Sequence, residues 1–103
     1  MILIFTTLHK KSEAHKIGKD LLIKKLIACY NLIPIQSAYW WEGKIEKAKE
    51  FLLILKTSDK NFKKIEYSIK KLSNYEIPEI VAVEPSKVSE SYLNWIDTEI
   101  EGN

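Results

Sequence analysis

One cysteine and two histidines are the side chains best suited to metal chemistry in this chain. Cys29 is the only cysteine, and its thiolate would be a soft ligand for Cu(I) or Zn(II). Free cysteines are also commonly buried as small apolar residues, so a structural role is the alternative. A symmetric oligomer would bring copies of Cys29 together, and a site could then contain several thiolates. Cys29 is therefore the candidate metal ligand.

The two histidines lack the spacing of a local metal motif. His9 and His15 are not in a His-x-x-His arrangement, and neither is near Cys29 in the sequence. We predict that both are surface residues.

A lysine at the end of an apolar segment is the next unusual feature. Lys56 directly follows the apolar residues 51–55. A charge that emerges from a buried strand needs a partner or a ligand. Glu50 or Glu79, from the same or a neighbouring chain, could be that partner, and a purely structural ion pair is the alternative.

Three consecutive aromatic residues precede a glycine. Tyr39, Trp40 and Trp41 could stack on a ligand, but such side chains are more often anchors of a protein interface, which is the interpretation we favour. No Ser-His-Asp or Cys-His arrangement, carboxylate pair or glycine-rich phosphate loop is recognisable. The sequence therefore predicts a protein that is not an enzyme, with no catalytic residues.

The elements that would position these side chains follow from hydrophobic periodicity. Residues 28–57 read as one long hairpin with its turn at 41–44, where Gly43 can adopt a positive φ. Pro34 must then lie at a sheet edge or a bulge. Apolar residues recur at helical spacing in two segments, with Ser12 as a candidate N-cap of the first helix, and Ser86 or Ser89 begins a last helix.

The resulting order is strand, helix, strand, strand, helix, strand and a further helix. This order predicts an α+β fold of the ferredoxin-like, split βαβ type, with a long central hairpin and an extra C-terminal helix. The chain has 103 residues, which indicates a single domain over 1–103.

Charge and hydropathy argue against several partners. The net charge of +2 is spread along the chain, so nucleic-acid binding is not expected. The apolar N-terminal segment is too short to span a membrane and has no cleavage signal, so we expect neither a membrane protein nor a secreted one. We predict a cytoplasmic protein whose fold does not depend on a disulfide.

Five motifs in the chain resemble those of one family, the CutA family of divalent-cation tolerance proteins. The motifs are LIACYNLIP at 26–34, SxYxWxGK at 37–44, ExLxxLKT at 50–57, YxxPEI at 75–80 and YLxW at 92–95. They run through most of the chain in the family's order.

The resemblance implies more than composition does. Proteins of this family are ferredoxin-like homotrimers, similar in architecture to P-II signalling proteins, with the long hairpin continuing across subunit boundaries. The family is associated with tolerance to copper and other divalent cations, and no catalytic activity is established for it. The resemblance thus implies a metal-responsive, copper-binding homotrimer that requires no other cofactor.

One departure from the family's pattern concerns the segment before the fourth motif. The family usually has His-Pro there, and this chain has Ser73-Asn74; if that histidine is a metal ligand in relatives, this chain lacks the ligand. The alternative function is a small-molecule sensor similar to P-II proteins. Its inter-subunit pocket or interface would comprise Tyr39, Trp41, Glu50, Lys56, Tyr75 and Glu79.

Overall fold

The structure, a computed structural model, describes residues 1–100. Strands and helices occur in the predicted order, and the C-terminal helix is present. In chain order the elements are β1 (Ile2–Leu8), α1 (Lys11–Ile23), β2 (Cys29–Trp41), β3 (Lys44–Thr57), α2 (Phe62–Leu72), β4 (Val81–Val83) and α3 (Glu90–Glu99), with a 3-10 turn at Asp59–Asn61 before α2.

The four strands form one antiparallel sheet in the order β2-β3-β1-β4. Strands β2 and β4 are its edges, and the edge position of β2 explains how Pro34 is accommodated without a ladder donor. The prediction of an α+β fold is confirmed.

The hairpin of β2 and β3 is in continuous register from Cys29↔Lys56 to Trp41↔Lys44. Its turn has two residues, Glu42 with φ 50° and Gly43 with φ 78°. Two positive φ values are required by the hairpin turn whose twist matches that of the strands, so the predicted turn is confirmed.

Strand β1 is shorter than the hairpin, and this mismatch creates a projecting arm. The pairing of β1 with β3 ends at Leu8↔Phe51. The hairpin continues beyond that point from Ile35↔Glu50 to its turn without a third strand. We call residues 35–50 the hairpin arm. Its Trp40 side chain is 72% exposed, because the arm has no third strand beside it among residues 1–100.

One face of the sheet is covered by α1 and α2. Side chains at alternate strand positions, such as Ile4 and Leu55, are fully buried against apolar helix residues such as Leu21 and Ile65. Helix α3 contacts the opposite face, where the Lys56 ammonium lies 5.6 Å from the centre of the Tyr92 ring.

Helix α1 approaches β2 closely because one of its buried residues is a glycine. A Cβ placed on Gly18 would be 2.6 Å from Cε2 of Tyr30. The Tyr30 hydroxyl continues past the helix and lies 2.8 Å from Nδ1 of His15. His15 is therefore half-buried and hydrogen-bonded, so its prediction as a surface residue is only partly right.

A buried polar cluster fixes the start of the hairpin. The carbonyl oxygen of Leu26 accepts hydrogen bonds from the Thr57 hydroxyl at 2.6 Å and from the Asn61 amide at 3.2 Å. Thr57 and Asn61 are both buried. Their hydrogen bonds satisfy the Leu26 carbonyl. A buried carbonyl without a partner would destabilise the fold by roughly 1–3 kcal/mol.

Replacing Gly18 by alanine is expected to destabilise the protein by about 1–3 kcal/mol, because the added Cβ overlaps the Tyr30 ring. At an exposed helical position the same change would stabilise by up to about 1 kcal/mol, so the sign is informative. Urea unfolding of G18A provides the measurement.

The matched control repeats Gly18→Ala in a Tyr30→Leu background. Removing the ring should abolish the penalty and leave G18A neutral or stabilising. An equal penalty in both backgrounds would contradict the close approach as its cause.

Candidate functional site

A large cleft lies at the end of the sheet where β1 ends. It has a volume of about 860 Å³ and is bounded by the end of β1, the hairpin arm and the connector between α2 and β4. The side chains and backbone that line it belong to Thr7, His9, Gln36, Ser37, Ala38, Tyr39, Trp40, Trp41, Glu50, Asn74, Tyr75, Glu76, Ile77 and Glu79. Its position follows from strand lengths, because Glu50 is the first residue of β3 beyond the end of β1.

A buried carboxylate forms the inner wall of this cleft. Glu50 is 6% exposed, and its Oε2 accepts a hydrogen bond from the hydroxyl of Tyr75. A buried carboxylate is costly unless donors or cations compensate it. The bond from Tyr75 supplies a donor, and it ties the connector to β3.

A histidine extends this contact into a chain of three groups. Nδ1 of His9 lies 3.1 Å from the Tyr75 oxygen, and the two ring centroids are 4.1 Å apart at 43°. A hydroxyl has one proton, and Tyr75 donates it to Glu50. The remaining lone pair of the Tyr75 oxygen can accept from Nδ1–H of His9 when the ring carries a proton on Nδ1. We call these residues the His9–Tyr75–Glu50 chain.

The ionisation of Tyr75 responds to this environment. Burial, followed by the hydrogen bond to Glu50 and the charge of Glu50, raises the pKa of Tyr75 well above its ordinary value of 10.0. Ionised Tyr75 would lose its donor proton and place two negative charges in contact. The neutral hydroxyl is therefore the form that holds the cleft together.

Two polar residues hold the connector in place where the family usually has His-Pro. The Ser73 hydroxyl accepts a hydrogen bond from the Tyr75 backbone N–H at 3.1 Å, which is a local turn typical of serine. The Asn74 amide donates to Glu13 Oε1 at 2.6 Å, which links the connector to α1. Both contacts position the Tyr75 ring.

The structure brings most of the predicted pocket residues together. Five of the six line the cleft, namely Tyr39, Trp41, Glu50, Tyr75 and Glu79. Lys56 does not line it. It faces the same side of the sheet as Glu50, but it is six residues further along β3, or about 20 Å away at strand spacing. Within one protomer the expected ion pair of Lys56 with Glu50 or Glu79 is not found among residues 1–100.

Cys29 lies with Lys56 rather than with the cleft. The two residues are opposite each other in the ladder, and Sγ of Cys29 is 3.7 Å from the Tyr92 hydroxyl. Cys29 is half-buried. Its surroundings in one protomer are thus an ammonium group and an aromatic ring.

These surroundings do not fit a complete metal site within one protomer. A structural Zn²⁺ site needs four ligands, whereas no group of three or more His, Cys, Asp or Glu side chains close enough to hold an ion is found among residues 1–100. The nearby ammonium of Lys56 also opposes a cation. Ligands from further protomers would be required.

Sequence reasoning missed His9 as a member of the cleft. His9 is exposed, as predicted, but its partner Tyr75 is 66 residues away, so no local spacing could reveal the contact. A positional signal was available in the sequence. A histidine directly after a central strand lies at the same end of the sheet as the residues of the neighbouring strand that extend beyond it.

The raised pKa of Tyr75 predicts a loss of stability in alkali. The unfolded chain loses the Tyr75 proton above about pH 10 while the folded chain retains it, so the free energy of unfolding falls as pH rises beyond 10. Tyr75→Phe removes this contribution and should flatten the decline. Urea unfolding between pH 9 and pH 11, chosen to span the ordinary tyrosine pKa of about 10, measures the slope.

Tyr67→Phe is the control for that measurement, because the Tyr67 side chain is 68% exposed. It should show the same alkaline decline as the unsubstituted protein. Parallel declines for the protein and its Tyr75→Phe variant would contradict the partly buried, hydrogen-bonded state of Tyr75.

No helix within residues 1–100 is both long enough and apolar enough to cross a membrane.

Comparison with known proteins gives a consistent assignment. The family model described as "CutA1 divalent ion tolerance protein" matches residues 2–99. The chain is 42% identical over 98 residues to the divalent-cation tolerance protein CutA of Archaeoglobus fulgidus. The aligned region covers 95% of this chain and 96% of that protein. It is 40% identical over 96 residues to the CutA of Thermotoga maritima, with 93% and 95% coverage.

Solved structures agree with the sequence comparison. The CutA of Archaeoglobus fulgidus, described as periplasmic, has a TM-score of 0.95 at 41% identity, with 98% of this chain and 100% of that chain covered. CutA1 of Pyrococcus horikoshii has a TM-score of 0.91 at 40% identity, with 96% and 97% coverage. The chain therefore belongs to the CutA1 divalent ion tolerance family.

Proposed function

We propose that this protein acts in divalent-cation tolerance as a ferredoxin-like homotrimer that binds copper or another divalent cation and catalyses no reaction. The observation that carries the proposal is the family match over residues 2–99. The strand order β2-β3-β1-β4 supports the ferredoxin-like arrangement, because it places β1 and β3 at the centre with the two helical crossovers between strands.

Trimer formation is supported by surface that one protomer leaves open. The hairpin arm has no third strand, and an unpaired strand edge is a natural place for another chain to add. Large apolar side chains are exposed on both sheet edges, including Trp40 at 72% and Val81 at 48%. Association of identical chains would cover these groups and would add burial to a small domain.

Copper binding is proposed at Cys29, with each subunit contributing one thiolate. A thiolate is the softest donor that the chain offers, and Cys29 is half-buried rather than enclosed in the core. Since one protomer does not provide a complete set of ligands, the proposed site requires copies of the chain around a symmetry axis.

A small-molecule sensor, similar in working to P-II proteins, is the second candidate. The observation that favours it is the 860 Å³ cleft, whose size is that of an ordinary ligand site. Its two sides come from the hairpin arm and the connector, so a ligand would join elements that are far apart in the chain.

The cytoplasm remains the proposed location. The apolar residues 2–8 form a central strand of the sheet and belong to the folded domain. The relative from Archaeoglobus fulgidus is described as periplasmic, so cell fractionation with an antibody to the protein is the appropriate check.

Calorimetric titration of the reduced protein with copper tests the first proposal. We expect saturable binding to a particle of three times the chain mass, measured by light scattering on the same sample. Cys29→Ser should preserve the mass and abolish tight binding, because a hydroxyl is a poor ligand for Cu(I).

Ser37→Ala, a change of similar size in the hairpin arm and away from Cys29, is the matched control and should bind copper normally. A stable monomer would contradict the trimer. Equal copper binding by the protein and by Cys29→Ser would contradict the ligand role of Cys29.

A further inference from the structure

The cleft beside the His9–Tyr75–Glu50 chain has a charge opposite to that of the protein. Its lining includes the three carboxylates of Glu50, Glu76 and Glu79 and no lysine. The whole chain has 16 lysine and arginine residues and a net charge of +2. A cavity of this kind attracts cations and repels anions such as nucleotides or dicarboxylates.

Within one protomer, the innermost carboxylate has no charged partner among the described residues. Glu50 is 6% exposed, it receives the Tyr75 hydroxyl, and it takes part in none of the ion pairs found among residues 1–100. A hydroxyl donor compensates the lost hydration of a carboxylate but leaves its charge in place. A cation that enters the cleft would balance that charge.

Aromatic rings form the wall on the hairpin side. Tyr39 and Trp41 alternate along β2, so they belong to the same sheet face as Glu50 and its ladder partner Ile35. Both residues line the cleft together with Glu50, Glu76 and Glu79. The face of an aromatic ring attracts a cation, most strongly when the cation is organic and weakly hydrated.

We infer that the cleft binds an organic ammonium ion, with Glu50 and Glu79 balancing its charge and with Tyr39 and Trp41 covering its carbon groups. A bare metal ion fits less well, because no set of three ligand side chains converges among the described residues. The volume of about 860 Å³ also suits a ligand of many atoms. The inference rests on the second candidate function and is independent of copper binding at Cys29.

Benzyltrimethylammonium is a suitable probe, because it combines a fixed positive charge with an aromatic body. We expect saturable binding by calorimetry, accompanied by a change in tryptophan fluorescence. The neutral analogue neopentylbenzene, in which carbon replaces the charged nitrogen, and the anion benzoate should not bind. Glu50→Gln keeps a carbonyl oxygen for the Tyr75 hydroxyl, and it should weaken binding by about tenfold or more.

Glu79→Gln and Trp41→Leu are the second and third variants, and they guard against a folding defect in Glu50→Gln. Each substitution should weaken binding of the probe, because Glu79→Gln removes a negative charge and Trp41→Leu removes an aromatic ring. Glu84→Gln is the matched control, because Glu84 is an exposed acid outside the cleft. The Glu84→Gln protein should bind the probe as tightly as the unsubstituted protein.

The outcomes separate this inference from the proposed functions. No binding, or equal binding of the neutral analogue, would overturn the ammonium site, and copper binding lost in Cys29→Ser would still support the first proposal. Binding of benzoate in place of the ammonium probe would overturn the inference while leaving a small-molecule sensor intact. Displacement of the probe by copper, with unchanged copper affinity in Cys29→Ser, would identify the cleft as a metal site and would overturn the inference.

Discussion

The hydrogen bond from Tyr75 to Glu50 is the interaction on which the cleft depends. Glu50 is a buried carboxylate on a strand that has just lost its neighbour, because β1 ends one pair earlier. Left without a donor, such a group would cost several kcal/mol. The connector between α2 and β4 supplies the donor. By doing so it closes one side of the cleft and brings Asn74, Glu76 and Glu79 to it.

Strand lengths explain why this place is distinctive. Residues that follow β1, residues of β3 beyond its pairing with β1 and residues of the hairpin arm all meet at one end of the sheet. Glu50, Tyr39 and Trp41 lie there on the sheet face opposite α1 and α2, so these helices do not cover them. The opposite end has a different chemistry, with Cys29, Lys56 and Tyr92 in contact. The protomer thus has two separate candidate sites on one sheet face.

Local patterns predicted the elements well, because each depends on neighbours in the sequence. The turn at Gly43, the edge position of Pro34 and the cap at Ser89 all follow from backbone constraints of single residues. The prediction of Ser12 as the cap of α1 was wrong. The helix begins at Lys11, and Lys10 is its N-cap without a side-chain hydrogen bond, because only two residues separate the end of β1 from the helix.

The site was predicted in part, and its gaps have a physical reason. Resemblance to the family selected Glu50, Tyr75 and Glu79, which line one cleft, but it also selected Lys56, which lies about 20 Å along the strand. A shared motif does not show that two of its side chains lie close together, because residues of one strand can be far apart along it. The contacts of His9 with Tyr75 and of Asn74 with Glu13 join residues more than 60 positions apart, and hydrophobic periodicity contains no information about them. The replacement of His-Pro by Ser73-Asn74 became interpretable only when their hydrogen bonds were seen.

The most direct test of the central claim is a double-mutant cycle on the contact between Glu50 and Tyr75. The free energy of unfolding would be measured for Glu50→Ala, which removes the acceptor, for Tyr75→Phe, which removes the donor, and for the double variant at neutral pH. A charge-assisted hydrogen bond in a buried place predicts a coupling of about 1.5–3 kcal/mol. Additive effects, with a coupling near zero, would show that other contacts hold the connector and would contradict the dependence of the cleft on the buried carboxylate.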